Sequence, residues 1–289
     1  MRLVTYASDR GPRVAALHQD GLVDLQQADP ALPSCPKAFL AGGPEAVARA
    51  EAVLACGRPL PGPAGPLRLL PPIPSPEKIL CIGLNYSDHA RETGVQPPPE
   101  PAVFNKFPTA VAGHEAAIVL PRLSGQVDYE AELVVVIGRG GRHIPLAEAK
   151  SHVAAYCCGN DVSARDWQFH KPGGQWLAGK SFDTFAPCGP WLVTADEIPD
   201  PANLRIRLRL NGRMMQDSST AQLIFSVEKL VSYVSDICTL AAGDLLFTGT
   251  PAGVGFARKP PVFLQPGDVV EVEIERIGVL RNPVVAEAP

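Results

Sequence analysis

Three acidic residues stand beside two apolar runs and could bind a cation. In Asp128-Tyr-Glu-Ala-Glu132, Glu130 and Glu132 lead into the apolar residues 133–138. Side chains two residues apart on a strand point to the same face, so these carboxylates would lie side by side. Asp161 follows a second apolar stretch. Carboxylates held together repel one another and are costly to bury unless a cation lies between them.

Three carboxylates without histidine or cysteine suit a hard divalent cation. Mg²⁺ and Mn²⁺ fit this ligand set, and Ca²⁺ fits it less selectively. A solvated acidic strand end without an ion is the alternative. The next segment favours the metal, because Lys180 would neutralise the remaining negative charge. Arg165 and Gln168 would then bind an anionic substrate.

His89 and Glu92 form a candidate acid–base pair. They follow an apolar strand predicted over residues 78–83. Residues three apart on a helix share a face, so the carboxylate would fix the tautomer of the imidazole. The flanking Gly94 and the prolines of residues 97–99 predict a mobile segment that suits a lid. Such pairs also occur on ordinary protein surfaces, which leaves that alternative open.

Two glycine-rich segments resemble phosphate-binding loops but lack their context. Residues 174–181 match the Walker A pattern and contain Lys180. A working loop follows a strand and opens a helix whose N-terminus faces phosphate. Here no strand is predicted before the loop, Trp176 is bulky, and residues 182–187 cannot run as a long helix. A nucleotide site is therefore disfavoured, and residues 248–255 predict a tight loop that lines a pocket.

The wider pattern indicates an α+β, mostly β, fold. Alternation or an unbroken apolar run predicts strands at four places, residues 78–83, 133–138, 204–210 and 270–275. Two helices are expected in this part of the chain, over residues 146–155 and residues 227–238. The second has Ser226 as its predicted N-cap.

Proline content predicts the domain organisation. Residues 1–57 are expected to form a small N-terminal module, with a hairpin over residues 13–25 and a helix over residues 44–56. Residues 58–77 are dense in proline, which fixes φ and lacks an N–H, so they predict a stiff connector. Residues 78–289 would form the catalytic domain.

Composition excludes several functional classes. The 289 residues carry a formal net charge of -4, which disfavours nucleic acid as a partner. No apolar run approaches the roughly 20 residues of a membrane helix, and no signal peptide is visible. The seven cysteines are scattered and are expected to be reduced, mostly core thiols. These features predict a cytoplasmic protein, or a mitochondrial matrix protein whose presequence was removed.

Five motifs occur in order along the chain. They are Gly83-Leu-Asn-Tyr86 with His89 and Glu92, Asp128-Tyr-Glu-Ala-Glu132, Asn160-Asp-Val-Ser-Ala-Arg-Asp166, Gly179-Lys-Ser-Phe-Asp183 and Thr248-Gly-Thr-Pro-Ala-Gly-Val-Gly255. This set resembles the fumarylacetoacetate hydrolase family over about residues 75 to 285. Residues 174–177, 182–185 and 258–264 favour the branch of that family associated with oxaloacetate tautomerase activity.

The resemblance implies a mixed β-sandwich roll, a homodimer and a divalent metal, usually Mg²⁺ or Mn²⁺. It also implies three groups of site residues. They are the metal ligands Glu130, Glu132 and Asp161, the catalytic residues His89, Glu92 and Lys180, and the substrate-binding residues Lys106, Arg165, Gln168 and Thr250. His89 and Glu92 would lie on a lid that becomes ordered when substrate binds.

The implied chemistry fits small 2-oxo acids. Such an acid can chelate a metal through its carboxylate and its keto oxygen, and the ion stabilises an enolate. The leading hypothesis is Mg²⁺-dependent keto–enol tautomerisation of oxaloacetate. Hydrolysis of acylpyruvates or fumarylpyruvate-like acids and decarboxylation of oxaloacetate are alternatives. A catalytically silent dimer is a further alternative, although the intact motif residues speak against it.

Overall fold

The computed structural model describes residues 1–19, 21–56, 61–62 and 67–288. The strands are β1 (Arg2–Ser8), β2 (Gly11–His18), β3 (Gly21–Asp24), β4 (Leu69–Leu70), β5 (Ile79–Gly83), β6 (Ala102–Lys106), β7 (Val111–Ala112), β8 (Ile118–Leu120), β9 (Val127–Asp128), β10 (Ala131–Ile137), β11 (Val153–Asn160), β12 (Ser163–Ala164), β13 (Ala186–Thr194), β14 (Arg205–Leu210), β15 (Arg213–Ser219), β16 (Leu245–Phe247), β17 (Val269–Ile274) and β18 (Gly278–Ala286). The α-helices are α1 (Leu25–Ala28), α2 (Pro36–Ala41), α3 (Gly43–Leu54), α4 (Ser87–Thr93), α5 (Arg165–His170), α6 (Leu177–Lys180) and α7 (Val227–Ile237). Within those described ranges, no helix is long and apolar enough to cross a membrane.

One large sheet organises the molecule. Its strands lie in the order β3-β2-β1-β13-β11-β10-β16-β5-β6, with β4 beside β1 and β7 beside β13. A second sheet has the order β15-β14-β17-β18-β8, and β12 pairs with β9. Strands thus dominate over short helices, which confirms the expected α+β, mostly β class.

The central strand β10 is buried along its whole length. Its side chains alternate between two cores. Leu133 and Val135 pack in one cluster with residues of the second sheet such as Ile206. Val134 lies in the other cluster, together with Phe39 of α2. Burying each such side chain contributes about 1.5–3 kcal/mol, and burial on both faces explains the unbroken apolar run.

The N-terminal segment extends the large sheet. β1 pairs antiparallel with β13, so that Leu3 lies opposite Leu192. The antiparallel pairing of β2 with β3 confirms the predicted hairpin, and α3 confirms the predicted helix. The division at residues 57 and 77 stays a prediction, and the large sheet runs across it.

Part of the proline-rich connector is described, and it contacts the sheet. β4 pairs with β1, and the Thr5 hydroxyl donates to the Pro72 carbonyl oxygen at 2.6 Å. Residues 57–60 and 63–66, which include Gly57 after the predicted helix and several connector prolines, lie outside the described residues. Asp20 of the predicted hairpin turn also lies outside them.

The two helices expected in the catalytic part have different outcomes. The helix over residues 227–238 is confirmed as α7, and the Ser226 hydroxyl accepts the Lys229 N–H at its start. The helix over residues 146–155 is wrong, because a 3-10 turn over Ala149–His152 leads directly into β11. β11 pairs with β10 on one side and β13 on the other. Pairing on both sides outweighs the weak helical spacing of the sequence.

Candidate active site

The register between β10 and β11 assembles the acidic triad. Ala131 pairs with Asn160, and the Asp161 N–H donates to the Glu130 carbonyl oxygen at 2.9 Å. The Asn160 side-chain oxygen accepts the Glu130 N–H at 2.9 Å. Glu130, Glu132 and Asp161 are all buried, and each offers a carboxylate oxygen within 4.8 Å of the others. Residues distant in sequence therefore form one potential metal site, as predicted.

Two buried lysines contact the triad in different ways. Lys180, the last residue of α6, places Nζ 2.8 Å from both Glu130 Oε2 and Asp161 Oδ2. Lys106 on β6 places Nζ 2.6 Å from Asp161 Oδ1. The same ammonium also donates to three main-chain carbonyl oxygens at 2.5–2.9 Å. Lys106 is thus occupied in supporting Asp161, and its contact with substrate stays a prediction.

Arg165 connects the triad to the end of residues 248–255, the segment called the glycine-rich loop from here on. Its Nη2 lies 2.6 Å from Glu130 Oε1 and 2.9 Å from Asp128 Oδ2. Its Nη1 donates to Gln168 Oε1 at 2.9 Å, one turn further along α5. The guanidinium carbon lies 4.4 Å from the centroid of the Phe256 ring. Both predicted substrate contacts, Arg165 and Gln168, are therefore beside the triad.

Asp128 supports the site, although no role was predicted for it. Its carboxylate accepts the N–H groups of Gly255 and Phe256 at 2.8 and 3.0 Å, in addition to the Arg165 guanidinium. Asp128 is fully buried. In the sequence, only its position in the acidic motif pointed to Asp128. The loop whose N–H groups it accepts lies far from it along the chain.

The His89–Glu92 pair forms on α4, as the spacing predicts. His89 Nδ1 lies 3.0 Å from Glu92 Oε2. Glu92 Oε1 accepts the Gly253 N–H at 2.9 Å. The helix is also fixed by the Ser218 hydroxyl, which donates to Asp88 at 2.5 Å. In this structure the predicted lid is therefore docked on the glycine-rich loop, and its mobility stays a prediction.

A cavity of about 350 Å³ brings most predicted site residues together. Seven of the predicted site residues line it, namely His89, Glu130, Glu132, Arg165, Gln168, Lys180 and Thr250. Thr250 accepts a hydrogen bond from Gln216 at 2.9 Å, and the neighbouring Gly249 N–H donates to Glu132 Oε2 at 2.7 Å. The glycine-rich loop thus lines a pocket, as expected.

Burial and charge act in opposite ways on the two glutamates. Burial alone would raise the pKa of Glu130, but the charges of Lys180 and Arg165 lower it to about 2. The pKa of Glu132 is raised well above its usual range, first by burial and then by the negative charges of Asp161 and Glu130. A cation bound by all three carboxylates would relieve this repulsion. The donor set therefore fits a divalent metal with oxygen ligands.

The Walker-like segment does not have the geometry of a phosphate loop. Lys180 contacts carboxylates rather than an open anion site. The α-helix within this segment, α6, has four residues, and the described residues 182–185 after it are not helical. Trp176 instead packs its ring edge-on against Phe104, with centroids 5.3 Å apart. The segment therefore builds the wall of the cavity.

Comparisons with known proteins identify the family. The family model described as "Fumarylacetoacetate (FAA) hydrolase C-terminal" matches residues 78–285. The chain belongs to the fumarylacetoacetate hydrolase family. It is 48% identical over 289 residues to "Oxaloacetate tautomerase fahd2, mitochondrial" of Xenopus laevis, covering 99% of this chain and 90% of that protein. It is 44% identical over 292 residues to the human "Oxaloacetate tautomerase FAHD2A, mitochondrial", covering 99% and 92%.

A solved member of the family supports the fold. Fumarylacetoacetate hydrolase from Exiguobacterium antarcticum superposes with a TM-score of 0.81 at 34% identity, covering 99% of this chain and 100% of that chain. The named relatives are thus isomerases and hydrolases, which confirms the expected class of enzyme. The expected branch within the fumarylacetoacetate hydrolase family is confirmed as well.

Proposed function

We propose that this enzyme is a Mg²⁺-dependent oxaloacetate keto–enol tautomerase. The observation that carries the proposal is that His89 and the carboxylates Glu130 and Glu132 line one cavity. An acid–base group and a metal-ligand set are the two components that proton transfer beside a 2-oxo group requires. The printed names of the two curated relatives support oxaloacetate as the substrate.

Glu130, Glu132 and Asp161 would hold the ion, which when bound stabilises negative charge on the oxygen at C2 of the substrate. The Glu92 carboxylate accepts a hydrogen bond from His89 Nδ1, which leaves Nε2 as the basic nitrogen. In ketonisation Nε2 would take the proton that the enol oxygen loses and deliver it to C3, so that the imidazole ends in its starting state. The Lys180 ammonium adds positive charge beside the carboxylates, while Gln168 and Thr250 would orient the substrate.

An ultraviolet time course of the oxaloacetate enol tests the proposal. The enzyme is first measured with EDTA and then with added Mg²⁺, and pyruvate is assayed at the end. Fast, Mg²⁺-dependent loss of enol without pyruvate supports the tautomerase. Loss of enol with equal release of pyruvate would identify a decarboxylase instead. No effect in either metal state would contradict the proposal and favour hydrolysis of acylpyruvate-type acids.

We further infer a homodimer in the mitochondrial matrix or the cytoplasm. The family resemblance supports the dimer, and the names of the curated relatives support the mitochondrion. Light scattering coupled to size-exclusion chromatography tests the dimer, because a mass close to one 30.7 kDa chain would contradict it. The proposed ligand is a small molecule rather than nucleic acid or a membrane.

A further inference from the structure

The active-site cavity has an aromatic wall that a four-carbon diacid does not need. Four aromatic residues, Phe104, Phe169, Trp176 and Phe256, line it beside the polar groups. The rings form two contacting pairs, Phe104 with Trp176 at 5.3 Å and Phe169 with Phe256 at 5.7 Å between centroids. Paired rings of this kind form a surface on which an apolar or aromatic group can pack.

The cations at this cavity already have carboxylate partners. Among its described lining residues, the cationic groups are Arg165 and Lys180, with His89 when it is protonated. Arg165 contacts two carboxylates and Lys180 contacts two. His89 faces Glu92. A second carboxylate on the substrate would therefore have to share a cation that the protein already neutralises.

The size of the cavity also leaves room for a ligand with a ring. Its volume of about 350 Å³ lies at the lower end of the range of about 300–1,000 Å³ that is typical for pockets of organic ligands. A ligand with a carboxylate and keto group at one end and a ring at the other would fit both parts of the lining. Its polar end would meet the triad, and its ring would meet the aromatic wall.

We propose that the enzyme also tautomerises 2-oxo acids that carry an aromatic group on C3. This inference rests on the proposed tautomerase function and extends its substrate class. The reaction is balanced without a co-reactant: the enol O–H proton leaves, the C2–C3 double bond becomes a single bond, C2=O forms, and C3 receives a proton. The aromatic substituent takes no part and only packs against the wall.

Phenylpyruvate is the probe for the experiment. Ketonisation of its enol is followed in the ultraviolet with the Mg²⁺-loaded enzyme, beside the same assay with the oxaloacetate enol. Binding of phenylpyruvate is measured separately by titration calorimetry. We expect saturable binding, and Mg²⁺-dependent conversion with kcat/KM at least comparable to that for oxaloacetate.

Phe169→Ala removes part of the wall without opening the core, because 48% of Phe169 is already exposed. The ratio of kcat/KM for phenylpyruvate to that for oxaloacetate should fall by about tenfold, which is typical for a lost apolar contact in a pocket. Phe107→Ala is the matched control, because Phe107 is 51% exposed and does not line the cavity. That variant should leave the ratio unchanged.

The outcomes separate the two proposals. Conversion of oxaloacetate without conversion of phenylpyruvate overturns the inference but agrees with the proposed tautomerase. Binding of phenylpyruvate without its conversion overturns the inference in the same way. An unchanged ratio in Phe169→Ala also overturns it. Conversion of neither enol contradicts the tautomerase itself, and the inference then fails with it.

Discussion

At the scale of single residues, the proposed mechanism requires Glu92 to fix which nitrogen of His89 acts as the base. Its two oxygens accept from His89 Nδ1 and from the Gly253 N–H. Glu92→Gln can keep the Gly253 contact while its amide donates to Nδ1, which puts the proton on the wrong nitrogen. We expect kcat for the enol to fall by about 10²-fold or more, with KM little changed.

Steady-state kinetics on the oxaloacetate enol measures this effect, with thermal unfolding as a check on folding. Glu100→Gln is the matched control, because Glu100 is exposed and its carboxylate accepts a hydrogen bond from the Tyr233 hydroxyl, away from the cavity. An unchanged kcat in Glu92→Gln would remove the pair from the mechanism.

Asp128 illustrates a residue whose effect on the site is indirect. In Asp128→Asn the Arg165 guanidinium loses one of its two carboxylate partners. The asparagine also has only one side-chain oxygen to accept the two N–H groups of the loop. Breaking a buried, hydrogen-bonded ion pair costs about 3–5 kcal/mol, so the free energy of unfolding should drop by that amount. Denaturant unfolding measures it. Asp217→Asn, which breaks an exposed pair with Arg205, should cost less than about 1 kcal/mol.

The residues of the site differ in how predictable they were. Glu130, Glu132, Asp161 and Lys180 stand in local motifs, and the strand register brings them together as expected. No sequence pattern predicted that Phe169 and the other rings of the aromatic wall line the site. Their positions depend on how α5, β6 and the segments around Trp176 and Phe256 come together, which is set by tertiary packing rather than by local spacing.

At the scale of elements, the sequence predicts strands where periodicity and burial agree. β14 and β17 alternate buried and partly exposed residues, and both were expected. The predicted helix over residues 146–155 overlaps the start of β11. An apolar run that is buried on both faces shows neither the period of a helix nor that of an exposed strand. Only pairing with β10 and β13 distinguishes such a strand from a buried helix.

The hairpin of β2 and β3 is held by a buried ion pair, which gives a prediction at this scale. Arg13 Nε and Nη2 donate to Asp24 at 2.7 and 2.8 Å, and the Tyr6 hydroxyl also donates to Asp24. Burial alone would raise the pKa of Asp24, but the hydrogen bonds from Arg13 and Tyr6 lower it overall. Asp24→Asn should therefore reduce the free energy of unfolding by about 3–5 kcal/mol at pH 7.

The same pair should contribute a specific pH dependence. The pKa of Asp24 is lower in the folded than in the unfolded protein, so its contribution is present above the unfolded value of about 3.9. It is lost as the pH falls through the folded value. The difference in urea midpoint between wild type and Asp24→Asn should therefore shrink below about pH 4. A difference that stays constant as the pH falls well below about 4 would contradict the ion pair.

At the scale of the whole molecule, the site lies where the two cores and the long sheet meet. Glu132 belongs to β10, whose side chains enter both cores, and its contact with Gly249 joins this strand to the glycine-rich loop. Repulsion among the buried carboxylates therefore destabilises the central strand of the fold. Any cation that relieves it should stabilise the entire structure rather than the site alone.

Metal binding should thus raise the melting temperature, and Glu132→Gln should reverse the order of stabilities. At a Mg²⁺ concentration of 100 times Kd, binding contributes about 2.7 kcal/mol, which is roughly 4–5 °C for a chain of this size. Without metal, Glu132→Gln should melt at or above the wild-type temperature, because it removes one of three repelling carboxylates. With Mg²⁺ it should melt lower than wild type, because it has lost a ligand.

Differential scanning calorimetry with EDTA and with Mg²⁺ measures both melting temperatures. Glu51→Gln, at an exposed position, is the control and should respond like wild type. An equal rise in wild type and Glu132→Gln would exclude Glu132 from the metal site.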